Sequence, residues 1–260
     1  MEFPTNISPS VNRVLDGGLA IVTGAGRGNG RAIAQGLARA GAAVVVTDID
    51  LGPAEETTRG IVENGMSAWA FHLDVSDPEA CDALAARVSS EIGPVSILVN
   101  NAGILLSGRV DEDGARERWV RTQRINVDGP YYVASAFLGS LKVTQGCIVN
   151  VASIQSFVGG VGAGYIASKG AVAQLTRALS VEFARYGIRV NAIAPGFMDT
   201  AMTSAVKEND KHMKGLLAHV PMRRMGRPEE LVGATVFLAS KDASYITGAI
   251  LPIDGGYLAV

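Results

Sequence analysis

The stretch Leu19-Ala20-Ile21-Val22-Thr23-Gly24-Ala25-Gly26-Arg27-Gly28-Asn29-Gly30 decides the fold. Four apolar residues run into a glycine-rich turn, and beyond Gly30 an apolar pattern of helical period begins. A buried strand, a turn and a helix in immediate succession open a parallel α/β sheet. Gly24, Gly28 and Gly30 lack Cβ where the backbone must approach a ligand. The helix start beyond them offers free N–H groups and the positive end of a dipole, a place for a pyrophosphate. The spacing differs from the commoner G-x-G-x-x-G, so an ordinary glycine-rich connection is the plainer alternative. Its position between strand and helix weighs against that reading.

Outward from this unit, short β-branched runs at 43–48, 68–73, 96–100, 147–152, 188–193 and 249–253 read as buried strands like 19–23. Between them lie helical patterns, among them 31–40, 78–92, 165–186 and 228–238. The alternation predicts an α/β fold with a single doubly wound parallel sheet and helices on both faces. Right-handed crossovers place the site along the carboxyl edge of the strands. Residues 1–16, with Pro4 and Pro9, read as an N-terminal extension, and 17–260 as one catalytic domain. The segment 195–226, rich in Met and Lys and placed after a strand, reads as a substrate lid.

Composition narrows the partners. The 260 residues are 48% apolar and 18% charged, enough for a large core. A net charge of −2 without a basic run gives no support to a nucleic-acid partner, so a small molecule is expected. Without a signal-like start or an unbroken apolar span, a cytoplasmic protein with no membrane partner is expected. Cys81 and Cys147, the only cysteines, make poor material for a disulfide framework and read as reduced thiols. His72, His212 and His219 have no acidic or cysteine cluster at ligand spacing, and no metal is expected.

Several residues carry possible chemistry. Asp48 closes the second strand, where a carboxylate can accept ribose hydroxyls or simply be solvated. Asp74, before Val75, fits the adenine edge, or caps the helix that Asp77-Pro78 begins. Asn100-Asn101-Ala102-Gly103 ends the fourth strand with small residues where a cofactor must pass. Tyr165 and Lys169, four apart on a helix, share a face. At an effective dielectric of about 20 and roughly 5.5 Å, the ammonium favours phenolate by about 3 kcal/mol, near two pKa units.

The turn Thr23 to Gly30, the N-N-A-G element Asn100 to Gly103 and the Y-x-x-x-K pair together make the chain resemble a short-chain dehydrogenase/reductase from about Leu19 onward. The resemblance implies a Rossmann-type oxidoreductase exchanging hydride between a nicotinamide cofactor and a secondary alcohol or ketone. It adds Ser153, which positions the substrate oxygen, and Asn126, a helix residue holding a proton-relay water. Tyr165 is then the acid or base, and Lys169 lowers its pKa and holds the ribose. The implied cofactor contacts are Gly24, Arg27, Gly28, Asn29, Gly30, Asp48, Asp74, Val75, Asn101, Ala102, Gly103, Tyr165, Lys169, Pro195, Gly196 and Thr200. Asp254-Gly255-Gly256 resembles the terminal motif, and a homotetramer is implied.

Two departures stand out: Asn29 replaces a usual bulky aliphatic residue, and the Ser153-to-Tyr165 loop is one residue short. Arg27 stands where users of the phosphorylated cofactor carry a base, whereas Asp48 opposes a 2′-phosphate. Arg27 can turn to solvent and Asp48 cannot, so NAD is expected over NADP. Gln155, Phe197 and Met202 are candidate substrate contacts, and sugar-alcohol dehydrogenases are favoured over 3-oxoacyl reductases. A nucleotide-sensing regulator or a methyltransferase could share the first turn, but neither needs Tyr165 and Lys169.

Overall fold

The computed structural model describes residues 13–203 and 210–260. Its strands are β1 (Leu19–Val22), β2 (Ala43–Asp48), β3 (Ala68–His72), β4 (Ile97–Asn100), β5 (Cys147–Val151), β6 (Arg189–Pro195) and β7 (Ile250–Ile253). All pair in parallel, in the order β3-β2-β1-β4-β5-β6-β7. Around them run α1 (Gly28–Arg39), α2 (Leu51–Val62), α3 (Pro78–Glu91), α4 (Ala115–Gln123), α5 (Gly129–Ala136), α6 (Leu138–Thr144), α7 (Ala163–Ala184), α8 (Asp210–Leu217) and α9 (Val232–Ala239).

Both faces of the sheet are apolar, which is why the strands read as unbroken hydrophobic runs. Along β1, Ala20 and Val22 pack with Ile33 and Leu37 of α1, Ala54 of α2 and Leu238 of α9. Leu19 and Ile21 point the other way, toward Val88 of α3, Val133 of α5 and Leu179 of α7. The strand order reverses direction between β1 and β4, and that reversal opens a crevice at the carboxyl ends.

A buried polar chain crosses the β4–β5 part of the sheet. Asn100 and Asn150 are register partners on β4 and β5. Asn100 Nδ2 donates to Asn150 Oδ1 at 2.9 Å and to the Pro130 carbonyl at 3.3 Å. Asn150 Nδ2 donates to Thr176 Oγ1 at 2.9 Å, and that hydroxyl donates to the Val172 carbonyl at 2.8 Å.

Four differences from the sequence reading have local causes. Helix α1 begins at Gly28 rather than Arg31, because the end of the glycine turn is already its first turn. The pattern 228–238 divides into a 3₁₀ turn, Pro228–Leu231, and α9. Segment 195–226 contains a 3₁₀ turn at Ala201–Thr203 and helix α8. Leu15, assigned to the extension, belongs to the core and its N–H bonds the Ala40 carbonyl at 2.9 Å. Residues 1–12 of that extension and 204–209 of the proposed lid lie outside the described residues. No helix among the described residues is long and apolar enough to cross a membrane.

Candidate active site

A cleft of about 480 Å³ lies along the switch point, between the ends of β1, β2, β4, β5 and β6. Its floor is the glycine turn. Thr23 Oγ1 accepts from the N–H groups of Asn101 and Ala102, both at 3.0 Å, and Asn101 Nδ2 donates to the carbonyls of Thr23 and Gly24, both at 2.9 Å. The ends of β1 and β4 are thereby laced together. A Cβ at Gly30 would collide with the Gly24 carbonyl and the Asn101 amide, so only glycine fits. Helix α1 starts with no side-chain cap and no acidic residue in its first turn, leaving its free N–H groups for an anion. This suits a dinucleotide pyrophosphate.

At one end of the cleft Asp48 is buried. Its Oδ2 accepts from Gly26 N at 2.8 Å and its Oδ1 from Asp50 N at 3.0 Å, so the carboxylate is held by backbone. Arg27, expected to be able to turn to solvent, has its side chain 59% exposed and there pairs with Asp50 Oδ2 at 2.9 Å. Asp74 Oδ1 accepts from Ser76 N and Ser76 Oγ, at 2.9 and 2.8 Å, while Asp77 caps α3. Asp74 and Val75 both line the cleft, as do Ala102 and Gly103.

The opposite end gathers Ser153, Tyr165 and Lys169. Ser153, just past β5, caps the 3₁₀ turn Ile154–Ser156, its Oγ accepting from Gln155 N at 3.2 Å. Tyr165 and Lys169 lie one turn apart on α7. Lys169 is buried, donates to the Val151 carbonyl at 2.7 Å, and holds Nζ 5.7 Å from the Tyr165 ring centroid. Burial pushes the Lys169 pKa down to about 8. It also raises that of Tyr165, opposed in part by a hydrogen bond with Ser153. The lowering expected from lysine does not appear in the free protein: desolvation of the phenolate outweighs the hydrogen bond with Ser153.

Asn126 lies in a single π turn, Arg124–Asp128, between α4 and α5, and behind the cleft rather than on its wall. Its Oδ1 accepts from Ile104 N at 2.8 Å, and its Nδ2 donates to the Ile104 carbonyl at 2.9 Å and Ser168 Oγ at 3.0 Å. The side chain therefore fastens the chain leaving β4 to the helix that carries Tyr165.

Pro195, Gly196, Phe197, Thr200 and Gln155 complete the wall. A Cβ on Gly196 would sit 2.7 Å from Asp254 Cα. The Asp254 carboxylate accepts from Gly256 N at 2.8 Å and Leu258 N at 2.9 Å, so the terminal motif braces this loop. The Met202 side chain lies outside the described residues. Sequence reading missed Arg121 and Ile125, four apart on one face and both on the wall. It also missed Tyr257, whose ring packs edge-on to Phe197 at 5.4 Å. The i, i+4 spacing beside Asn126 was the available signal for the first two; Tyr257 had none. Among the described residues no cluster of three potential metal ligands occurs.

Residues 24–258 match the family model described as enoyl-(acyl carrier protein) reductase. The galactitol 2-dehydrogenase (L-tagatose-forming) of Cereibacter sphaeroides is 43% identical over 250 residues, covering 94% of this chain and 96% of that protein. The chain is a short-chain dehydrogenase/reductase. Another relative, the 3-oxoacyl-(acyl-carrier-protein) reductase of Vibrio cholerae, is 40% identical over 247 residues, covering 93% of this chain and 98% of its own. Among solved structures, the gluconate 5-dehydrogenase of Burkholderia cenocepacia, in complex with NADP and tartrate, superposes with a TM-score of 0.92 at 35% identity, covering 97% and 100% of the two chains. This short-chain dehydrogenase/reductase is accordingly an oxidoreductase acting on a secondary alcohol or ketone.

Proposed function

We propose an NAD(H)-dependent dehydrogenase that interconverts one secondary hydroxyl of a polyol with its ketone. The observation that carries this reading is the convergence of Ser153, Tyr165 and Lys169 at one end of a cleft whose floor is an uncapped helix start. When bound, the nicotinamide cofactor supplies the hydride acceptor or donor. In oxidation Ser153 would donate a hydrogen bond to the substrate oxygen, and Tyr165, ionised beside the Lys169 ammonium and the positive ring of the oxidised cofactor, would accept the hydroxyl proton; in reduction Tyr165 would return it. Lys169 holds positive charge beside the phenol and donates to the cofactor ribose. Asn126 keeps α7 and the end of β4 in place.

Each oxygen of Asp48 retains acceptor capacity for a ribose hydroxyl. A 2′-phosphate would instead bring up to two negative charges beside Asp48 and Asp50, with Arg27 already engaged by Asp50. NAD preference of at least about tenfold in kcat/KM follows. The NADP held by the Burkholderia enzyme makes this the point to test. Equal or higher efficiency with NADP would overturn it.

A second reading, a polyol acid of the gluconate type, is favoured by Arg121. Of the cations lining the cleft, Arg27 is paired with Asp50 and Lys169 with the Val151 carbonyl; among the described residues Arg121 has no such partner. Steady-state kinetics with galactitol, gluconate and a 3-oxoacyl thioester separates the readings. Preference for gluconate with a raised KM in Arg121→Ala supports the acid; turnover of the thioester alone removes both. Exposed Trp119, Tyr131 and Val181 on α4, α5 and α7 support a homotetramer, which light scattering tests.

A further inference from the structure

Three buried side-chain polar atoms among the described residues have no hydrogen-bond partner within the protein: Asn29 Oδ1, Thr58 Oγ1 and Asn100 Oδ1. Of the three residues only Asn29 lines the cleft. A buried carbonyl oxygen without a donor destabilises the fold, and it needs an explanation wherever it occurs. Asn29 is partly exposed on the wall of the cleft although Oδ1 itself is covered, so a turn of its amide presents that oxygen to a ligand, which can then supply the missing donor.

The course of the turn says which part of the ligand. A Cβ on Gly26 would lie 2.8 Å from Asp48 Oδ2, whereas one on Gly28 would lie 3.5 Å from Thr200 Cγ2. Between these residues the backbone passes from the Asp48 end of the cleft to the end of the β6 loop. Asn29 follows Gly28 and stands at that second end. A phosphate only accepts hydrogen bonds and would leave Oδ1 unanswered. A primary carboxamide offers a donor and an acceptor and can answer both ends of the Asn29 amide, whichever way it is turned.

We propose that the Asn29 side chain pairs with the carboxamide of the nicotinamide ring, so that the ring is oriented from α1 as well as from the β6 loop. This rests on the cleft holding NAD(H), as proposed above. Asn29 is then a cofactor-positioning residue, and the uncompensated oxygen of the free protein is matched only in the holoenzyme.

The test is a cycle between protein and cofactor. Wild type and Asn29→Leu are titrated with NAD⁺, with 3-acetylpyridine adenine dinucleotide, which has a methyl in place of the amide nitrogen, and with ADP-ribose, which lacks the ring. Melting temperature of each free protein is measured alongside. Asn29→Leu should weaken NAD⁺ by roughly fivefold, the effect of one typical hydrogen bond. It should weaken the acetylpyridine analogue far less and leave ADP-ribose unchanged, while the free protein melts no lower than wild type. Asn29→Ala, which only removes atoms, should give the same coupling if leucine does not fit. Equal weakening of NAD⁺ and the analogue, or none, overturns the proposal, as does a parallel loss of ADP-ribose affinity. A wild type that binds neither NAD⁺ nor NADP⁺ overturns the cofactor reading itself, and the proposal with it.

Discussion

Tyr165 is where single-residue chemistry is most exposed to test. Tyr165→Phe removes the proton-transfer group and little binding surface, so kcat should fall by at least about a hundredfold with cofactor affinity nearly unchanged. Retention of more than a hundredth of the activity would show that another group moves the proton. For Lys169 the test is stability. Its pKa is about 8 in the fold against an ordinary 10.5, so between those values the unfolded chain holds a proton that the folded chain has lost. Stability from this residue therefore rises with pH across that window. The melting temperature of wild type minus that of Lys169→Met, measured in the absence of cofactor, should grow from pH 8 to pH 10. A flat difference would mean that the buried ammonium keeps its proton. The spacing of Tyr165 and Lys169 was legible in the sequence, but the sign of the phenol's shift was not. Spacing gives the distance for a Coulomb interaction, whereas burial depends on walls contributed by β5, β6 and α4. Ser153 and Asn126 came only through family resemblance, since neither hydroxyl nor amide has a spacing of its own.

At the scale of elements, the starts of two helices meet. Arg27 and Asp50 are the N-cap residues of α1 and α2, and their ion pair joins the two starts beside the end of β2. Both side chains are more than half exposed, so the pair itself adds little stability. Its effect is expected in ligand choice, because it occupies Arg27, a cation that lines the cleft together with Asp48. Asp50→Ala should free Arg27 and remove one negative charge, raising kcat/KM for NADP⁺ by several-fold and leaving that for NAD⁺ close to wild type. An unchanged ratio would show that Asp48 alone governs the choice. The segment proposed as a substrate lid belongs to this scale as well. Replacing 202–217 with a short polar linker should alter substrate KM far more than cofactor affinity. Loss of cofactor affinity would make the segment structural. Strand positions were legible because parallel strands buried on both faces are continuous apolar runs. The π turn at 124–128 was not, since one inserted residue turns the apolar face by about 100°, which in a sequence reads the same as one short helix ending and another beginning.

For the whole molecule, the two cysteines report on cooperative opening. Burial raises the thiol pKa of Cys81 to about 12 and that of Cys147 to about 11, and the two lie in the cores on opposite faces of the sheet. Both should resist a disulfide reagent in the native protein and react with one common rate set by global unfolding. Separate rates would reveal that one layer opens alone. The doubly wound plan was legible because strand and helix patterns alternate and crossovers have one hand. The polar chain from Pro130 through Asn100, Asn150 and Thr176 was not, for two asparagines fifty positions apart give no sign that they meet. That chain acts as an alignment key. The apolar faces of β4 and β5 would tolerate sliding by a residue, since valine, isoleucine and leucine fill similar space. A slip would set Asn100 against Val149 or Val151 and strand its amide in hydrocarbon, at a cost of about 1–3 kcal/mol for each unmatched group. Misaligned pairing is thereby disfavoured whether or not a ligand is present. Because Thr176 shares its helix with Tyr165, the same amide chain ties the helix that carries the phenol to β5, the strand that leads to Ser153.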